Sequence, residues 1–248
     1  MDHLEYCAAL EKEIERFANA LDLVASDVMV PACPGWFVTD LAHHLGTVHR
    51  WAEHLVRFRA SEWKASQSMG LNDGPATSGW IREGGVQLLA TLRESDPTAS
   101  MWAWGPDQRV GWWSRRQLHE TLVHRMDVEL ASGRSVDAEV GIVTDAIDEF
   151  LVNLNCAARF SPKVRELKGE GEVFSVNATN ADFRRSIRLV TDGFELVDVA
   201  PTFDAELSGS AIDLLLVLYR RVPLTSSELV TSGNHDLVNF WIEHSALE

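Results

Sequence analysis

The sequence predicts an α+β protein in which a four-helix-type bundle precedes a small α+β domain with an antiparallel sheet. In the first two thirds of the chain, apolar residues recur at alternating steps of three and four, the period of amphipathic helices. After a Lys-, Glu- and Gly-rich stretch at 162–172 the period becomes two, which is typical of half-buried strands. We therefore expect a helical bundle at 1–165 and a small α+β domain at 166–248.

Five helices are predicted for the first domain, about four of them long and packed around its core. Thr39 has the side chain of a helix N-cap, Pro97 ends a helix, and Gly133 suits the position just after one. The apolar stripes place the helices at 3–25, 40–58, 79–94, 113–133 and about 138–160. A Ser-, Gly-, Asn- and Pro-rich loop at 64–79 separates the second from the third, and loops of this length are often functional.

The second domain is predicted to combine short strands with two helices. The dipeptide at 192–193, Asp-Gly, is a strong hairpin signal. An apolar run at 210–219 predicts a buried helix, and a final helix is expected to start at Asn234. The strands are expected at 173–178, 186–191, 194–199, 203–207 and 228–231.

Composition excludes several classes of partner. The formal charge of −15 argues against nucleic acid and against an anionic membrane surface. Three cysteines without a Cys-x-x-Cys spacing suit a reducing cytoplasm and exclude a cysteine-built zinc finger. No secretory signal and no apolar run of membrane length is evident. We expect a cytoplasmic protein.

One pair of residues on the fourth helix suggests a metal site. Glu120 and His124 are four residues apart, a spacing that places both side chains on one helical face. His49, on the flank of the second helix's apolar stripe, offers a third donor. Two histidines and one glutamate form a known zinc ligand set that leaves a coordination position open. The spacing alone leaves two ordinary alternatives: a solvated Glu–His pair, and a hydrogen-bonded histidine at the edge of the core.

Two neighbours of this pair, His119 and Asp127, are not expected to bind the metal directly. His119 points about 100° away from Glu120 and is expected outside the ligand set. Asp127 either orients His124 from behind or pairs with Arg116.

Candidates elsewhere are weaker. Arg220 and Arg221 follow the buried helix of the second domain and are candidates for holding a substrate carboxylate. A solvated helix end explains them equally well. Cys33, in a loop fixed by two prolines, is treated as structural.

The chain contains VPACPGW at 30–36, DLAHHLG at 40–46 and VHRW at 48–51, together with the segment 113–129 that contains Glu120 and His124. Together these segments resemble the maleylpyruvate isomerase family of mycothiol-dependent enzymes. The tail, with LLLVL at 214–218 and RRVPL at 220–224, is similar to the C-terminal domain of that family.

The resemblance implies a DinB-like metal-binding bundle followed by a domain like sterol carrier proteins. It implies that His49, Glu120 and His124 bind one divalent metal, usually zinc, and that the thiol cofactor mycothiol occupies the open position. The expected activity is isomerisation of the maleylpyruvate type, or thiol S-transfer to an electrophilic small molecule. The alternative is a non-catalytic metal- or ligand-binding regulatory protein on the same scaffold.

Overall fold

The structure, a computed structural model, describes residues 1–71, 74–197 and 202–246. The chain divides into two compact units, Met1–Val136 and Asp137–Glu248. No helix in the described ranges is both long enough and apolar enough to cross a membrane.

The first unit is a bundle of four α-helices. They are α1 (His3–Leu21), α2 (Val38–Arg57), α3 (Ser78–Glu94) and α4 (Val110–Ala131). Helix α1 packs against α3 and α4, and α2 packs against the same two helices. The four predicted helices of this region are confirmed.

The start of α2 differs from the expectation. The N-cap is Phe37 instead of Thr39, because the chain already becomes helical at Val38. The carboxylate of Asp40 accepts the backbone N–H of Phe37 at 2.8 Å, which satisfies a donor that the helix itself leaves open.

Close packing at Gly46 fixes α2 against α3. A Cβ at Gly46 would lie 2.0 Å from Cζ3 of Trp80, a residue of α3 that is 9% exposed. The guanidinium of Arg50 lies over the same indole, 4.1 Å from a ring centroid, and the ring of His43 stacks on it at 5.9 Å. The glycine therefore sets how α2 is positioned on its neighbour.

A buried ion cluster joins α1 to α4. The fully buried Arg125 donates from Nε to Glu13 at 2.6 Å and from Nη1 to Glu129 at 2.5 Å. Removing one member of such a cluster would leave an uncompensated buried charge and would destabilise the fold by about 3–5 kcal/mol.

The second unit is α+β, as predicted, but it also contains the fifth helix. Its α5 (Val140–Ala157) packs against α6 (Ala211–Leu218), and the ring of Phe150 lies 4.7 Å from that of Tyr219. The apolar face of α5 is thus buried within this unit, so the division falls at Val136 instead of the expected residue 165.

The sheet of the second unit is mixed. Its strands are β1 (Val173–Ala178), β2 (Phe183–Val190), β3 (Gly193–Val197), β4 (Ala205–Gly209) and β5 (Val230–Gly233), and the last helix is α7 (His235–His244). The strand order is β3-β2-β1-β4-β5, with β1 and β4 parallel and the other neighbours antiparallel. The expected sheet was antiparallel; β4 instead pairs in parallel with the edge of β1 opposite the β1–β2 hairpin. Residues 198 and 199, predicted to extend β3, lie outside the described residues.

Replacement of Gly46 tests the packing of α2. Gly46→Ala should lower the free energy of unfolding by about 1–3 kcal/mol, because the added methyl group must displace a packed indole. Gly79→Ala, in α3 with no neighbour closer than 3.9 Å, is the matched control and should be neutral or slightly stabilising. Denaturant unfolding of both variants measures the difference, and equal stabilities would contradict the packing argument.

Candidate metal centre

Three side chains from α2 and α4 converge at one edge of the bundle. His44, Glu120 and His124 each offer a ligand atom, and these atoms all lie within 4.8 Å of one another. Oε1 of Glu120 is 3.3 Å from Nε2 of His44 and 3.2 Å from Nε2 of His124. The side chains of His44, Glu120 and His124 are 35%, 19% and 11% exposed, so the cluster is neither in the core nor fully solvated.

The second carboxylate oxygen of Glu120 is bound by an arginine. Arg116, one turn earlier on α4 and itself buried, donates from Nη2 to Oε2. Burial alone would raise the pKa of Glu120, but Arg116 and the two imidazoles hold it well below its usual value. The carboxylate is therefore ionised, with Oε2 occupied and Oε1 directed at the histidines.

His124 is oriented from behind by a buried carboxylate. Its Nδ1 lies 2.9 Å from Oδ2 of Asp127, whose side chain is fully buried. An ionised carboxylate only accepts, so Nδ1 carries the hydrogen and Nε2 faces the cluster. Burial lowers the pKa of His124, but the hydrogen bonds to Asp127 and Glu120 outweigh it and raise the pKa to about 9. Of the two roles considered for Asp127, the structure shows the orientation of His124.

These donors fit a divalent metal of the zinc type. Two imidazole nitrogens and one carboxylate are a common zinc ligand set, and a carboxylate behind a ligating histidine is its usual support. The Arg116 contact leaves one oxygen of Glu120 for the cation. Because Nε2 of His124 must lose its proton to bind, metal uptake would release a proton.

His49, the expected third ligand, lies elsewhere. It is fully buried, and Nε2 is 2.9 Å from Oγ1 of Thr121. The hydroxyl of Thr121 donates to the carbonyl of Gln117 at 2.7 Å, so it must accept from His49. Burial lowers the pKa of His49 to about 3 and keeps the ring neutral. Within the described residues His49 belongs to no group of potential ligands that approach one another as closely as the cluster does.

The structure thus brings His44 of α2, and not His49, to the cluster, and metal binding by either histidine stays a prediction. Positions 44 and 49 differ by about 140° around a helix, so only one of them can face Glu120. His49 faces the buried side of α4 that carries Gln117 and Thr121. Its surroundings are those of a hydrogen-bonded histidine at the edge of the core, the alternative to a metal ligand.

A periodic signal for His44 was present in the sequence. Asp40, His44, Val48 and Trp51 recur at helical spacing and form a mixed polar and aromatic face beside the apolar stripe. A ligand that must remain accessible suits such a mixed face, whereas a residue on the flank of the apolar stripe, such as His49, can be buried by a neighbouring helix.

The other candidates have different surroundings. His119 is fully buried, with its ring 6.4 Å from that of Tyr6 on α1. In the second unit, Arg220 is exposed in a left-handed conformation (φ 58°), and Nη1 of Arg221 donates to the carbonyl of Tyr219 at 2.9 Å. The carboxylate-binding role of Arg220 and Arg221 stays a prediction. Cys33 is a half-buried thiol.

A cleft of about 700 Å³ opens beside the cluster, with His44 in its wall. One side is the mixed face of α2, and the other is the segment 63–67, around the start of the predicted loop at 64–79. The indole Nε1 of Trp51 donates to the carbonyl of Lys64 at 2.7 Å and attaches this loop to α2. The ring of Trp36 lies 5.2 Å from that of His44.

Comparison with known proteins agrees with this architecture. Two crystal structures are similar to the chain, each at 14% identity and each covering 94% of this chain and 93% of the other. One is the mycothiol-dependent maleylpyruvate isomerase, with a TM-score of 0.58, and the other is a histidine-to-alanine mutant of such an isomerase, with a TM-score of 0.59. At this identity the likeness shows the fold. No curated protein matches the chain.

The family assignment comes from the bundle itself. Residues 7–129, which include most of α1, all of α2 and α3, and most of α4, match the family model described as the mycothiol maleylpyruvate isomerase N-terminal domain. The match contains all three members of the cluster and confirms the resemblance seen in the sequence. The N-terminal domain of the chain is therefore a mycothiol maleylpyruvate isomerase N-terminal domain.

Proposed function

We propose that the protein is a metal-dependent isomerase of the maleylpyruvate type that uses mycothiol as its thiol cofactor. The observation that carries the proposal is the convergence of His44, Glu120 and His124 in and beside the wall of an open cleft. The space next to the cluster, about 700 Å³, is within the range of small-molecule sites.

His44, Glu120 and His124 would hold a divalent cation, and their donor set favours zinc. A bound zinc ion would lower the pKa of the thiol, and the thiolate would add reversibly to a carbon–carbon double bond conjugated with a carbonyl, so that this bond can rotate.

The remaining residues of the site prepare this centre. Asp127 holds the proton on Nδ1 of His124 and thereby keeps Nε2 available. Arg116 fixes the orientation of the Glu120 carboxylate and balances its charge. His49 and Thr121 hold α2 against α4, so that His44 stays within reach.

S-transfer is the second candidate activity, because the same activated thiol can displace a leaving group from an electrophile. The experiment is turnover of the metal-loaded protein with mycothiol and a cis-configured maleylpyruvate-type substrate, followed by NMR. A trans product with recovered thiol supports the isomerase. A stable thioether supports the transferase, and metal binding without any product supports a non-catalytic protein. A cytoplasmic location stays a prediction.

Metal content distinguishes the two histidines of α2. His44→Ala should lose most of its metal, because two ligands hold zinc poorly. His49→Ala should destabilise the bundle yet keep the metal in its folded fraction. His54→Ala, on the same helix and outside the cluster, is the control. Elemental analysis after dialysis measures the ratio of metal to protein. Retention in His44→Ala together with loss in His49→Ala would contradict the assignment.

Removal of the charge behind His124 should weaken the metal site without abolishing it. Asp127→Asn is expected to lower metal affinity about 10–100-fold, the range found for partners behind ligating histidines. Competition with a chromophoric chelator measures the affinity. Asp107→Asn, in a surface pair with Arg109, is the control and should bind like the parent. Equal affinities of the two variants would remove Asp127 from the site.

A further inference from the structure

Arg116 contacts the cluster but cannot itself bind a cation, because a guanidinium is protonated in proteins and has no acceptor atom. Its side chain is 6% exposed, and its Nη2 donates to Oε2 of Glu120. The other carboxylate oxygen, Oε1, lies 3.3 Å from Nε2 of His44 and 3.2 Å from Nε2 of His124. The two oxygens of Glu120 therefore have different partners: Arg116 holds one, and the other faces the histidines.

Two contacts hold the guanidinium in this position. Arg116 lies one helical turn before Glu120 on α4, the spacing at which an arginine and a glutamate are neighbours on a helix surface. Its guanidinium carbon also lies over the ring of Trp104, 5.7 Å from the centroid, where an aromatic face attracts a cation. Movement of Oε2 away from the guanidinium would leave a buried charge without its partner, which is costly. The contact is therefore expected to persist when a cation binds.

The arrangement has a consequence for the choice of metal. Two imidazoles and one carboxylate favour zinc but also occur around non-haem iron. Mn²⁺ and Ca²⁺ prefer oxygen ligands in sets of six or more, and a carboxylate can supply both of its oxygens to such a cation. With Oε2 held by Arg116, Glu120 offers only Oε1. The positive charge of Arg116 repels every divalent cation alike, so the selective effect comes from the loss of the second oxygen.

We propose that Arg116 is a positioning residue that limits Glu120 to one ligating oxygen and thereby favours zinc over oxygen-preferring cations. The inference rests on the proposed function, in which the cluster holds a metal, and it adds the residue that decides which metal is preferred. Two nitrogens, one oxygen and one open position suit four-coordinate zinc. A cation that needs six or more ligands loses one of the few oxygens that the cluster could provide.

Metal titrations of the full chain test this role by comparing Zn²⁺ with Mn²⁺. Arg116→Met removes the guanidinium and frees Oε2, so the ratio of zinc affinity to manganese affinity should fall about tenfold or more, within the range known for residues behind a ligand set. Arg116→Lys keeps a charged donor for Oε2 and should restore most of the ratio. Competition with a chromophoric chelator measures zinc, and the electron paramagnetic resonance signal of free Mn²⁺ measures manganese.

Arg57→Met is the matched control. Arg57 pairs with Glu53 on α2 at the same four-residue spacing, and neither residue belongs to the cluster. The variant should keep the metal ratio of the parent. Circular dichroism checks that each variant is folded.

A second measurement reports the coordination number and needs no variant. Co²⁺ binds nitrogen and oxygen sites much as zinc does, and its visible absorption is far stronger in a four-coordinate site than in a six-coordinate one. The cobalt-loaded parent should give the strong spectrum. Arg116→Met should give a weaker one, because Glu120 can then supply both oxygens.

The outcomes separate this inference from the proposed function. A lowered ratio in Arg116→Met that Arg116→Lys recovers supports the inference. A folded Arg116→Met with the ratio and cobalt spectrum of the parent overturns it and leaves the proposed function standing, and so does an equal fall in Arg57→Met. A weak, six-coordinate spectrum of the parent overturns it even when Arg116→Met does not fold. A parent that binds none of these metals overturns both.

Discussion

The candidate site depends on one constraint, the need to compensate the charge of Glu120. This carboxylate is mostly removed from solvent, and a charge in that position is costly unless it is paired and hydrogen-bonded. Helix α4 provides Arg116 and His124 one turn to either side. The third partner, His44, comes from α2. The site therefore depends on the side-by-side packing of α2 and α4.

Two further contacts keep α2 in the position that this requires. The hydrogen bond from His49 to Thr121 joins the buried faces of α2 and α4. On another side, Gly46 admits the indole of Trp80 from α3. Because each contact allows little movement in a close-packed interior, His44 is presented at the bundle edge with little freedom. Rigid support of this kind is what a metal ligand set needs.

The sequence allowed most elements to be predicted, because they depend on local periodicity. The helices of the bundle and the hairpin at Asp192 are examples. The predictions that were wrong depended on contacts between distant segments of the chain. The parallel pairing of β1 with β4 depends on which sheet edge β4 reaches, and the placement of α5 depends on its burial against α6. Local patterns carry no information about either.

The choice between His44 and His49 failed for a related reason. A helical wheel shows which residues share a face of α2, but it does not show which face meets Glu120. His49 was favoured because it borders the apolar stripe, and the bundle buried it there as a neutral core residue. The partners of His124 and Glu120 on α4 were within reach of sequence reasoning, since a one-turn spacing fixes their proximity.

The most direct test of the central claim is anomalous diffraction at the zinc absorption edge from crystals of the metal-loaded protein. The account predicts one peak about 2.0–2.2 Å from Nε2 of His44, Nε2 of His124 and a carboxylate oxygen of Glu120, with at least one coordination position left for another ligand. A peak bound by His49, or no peak between α2 and α4, would contradict it.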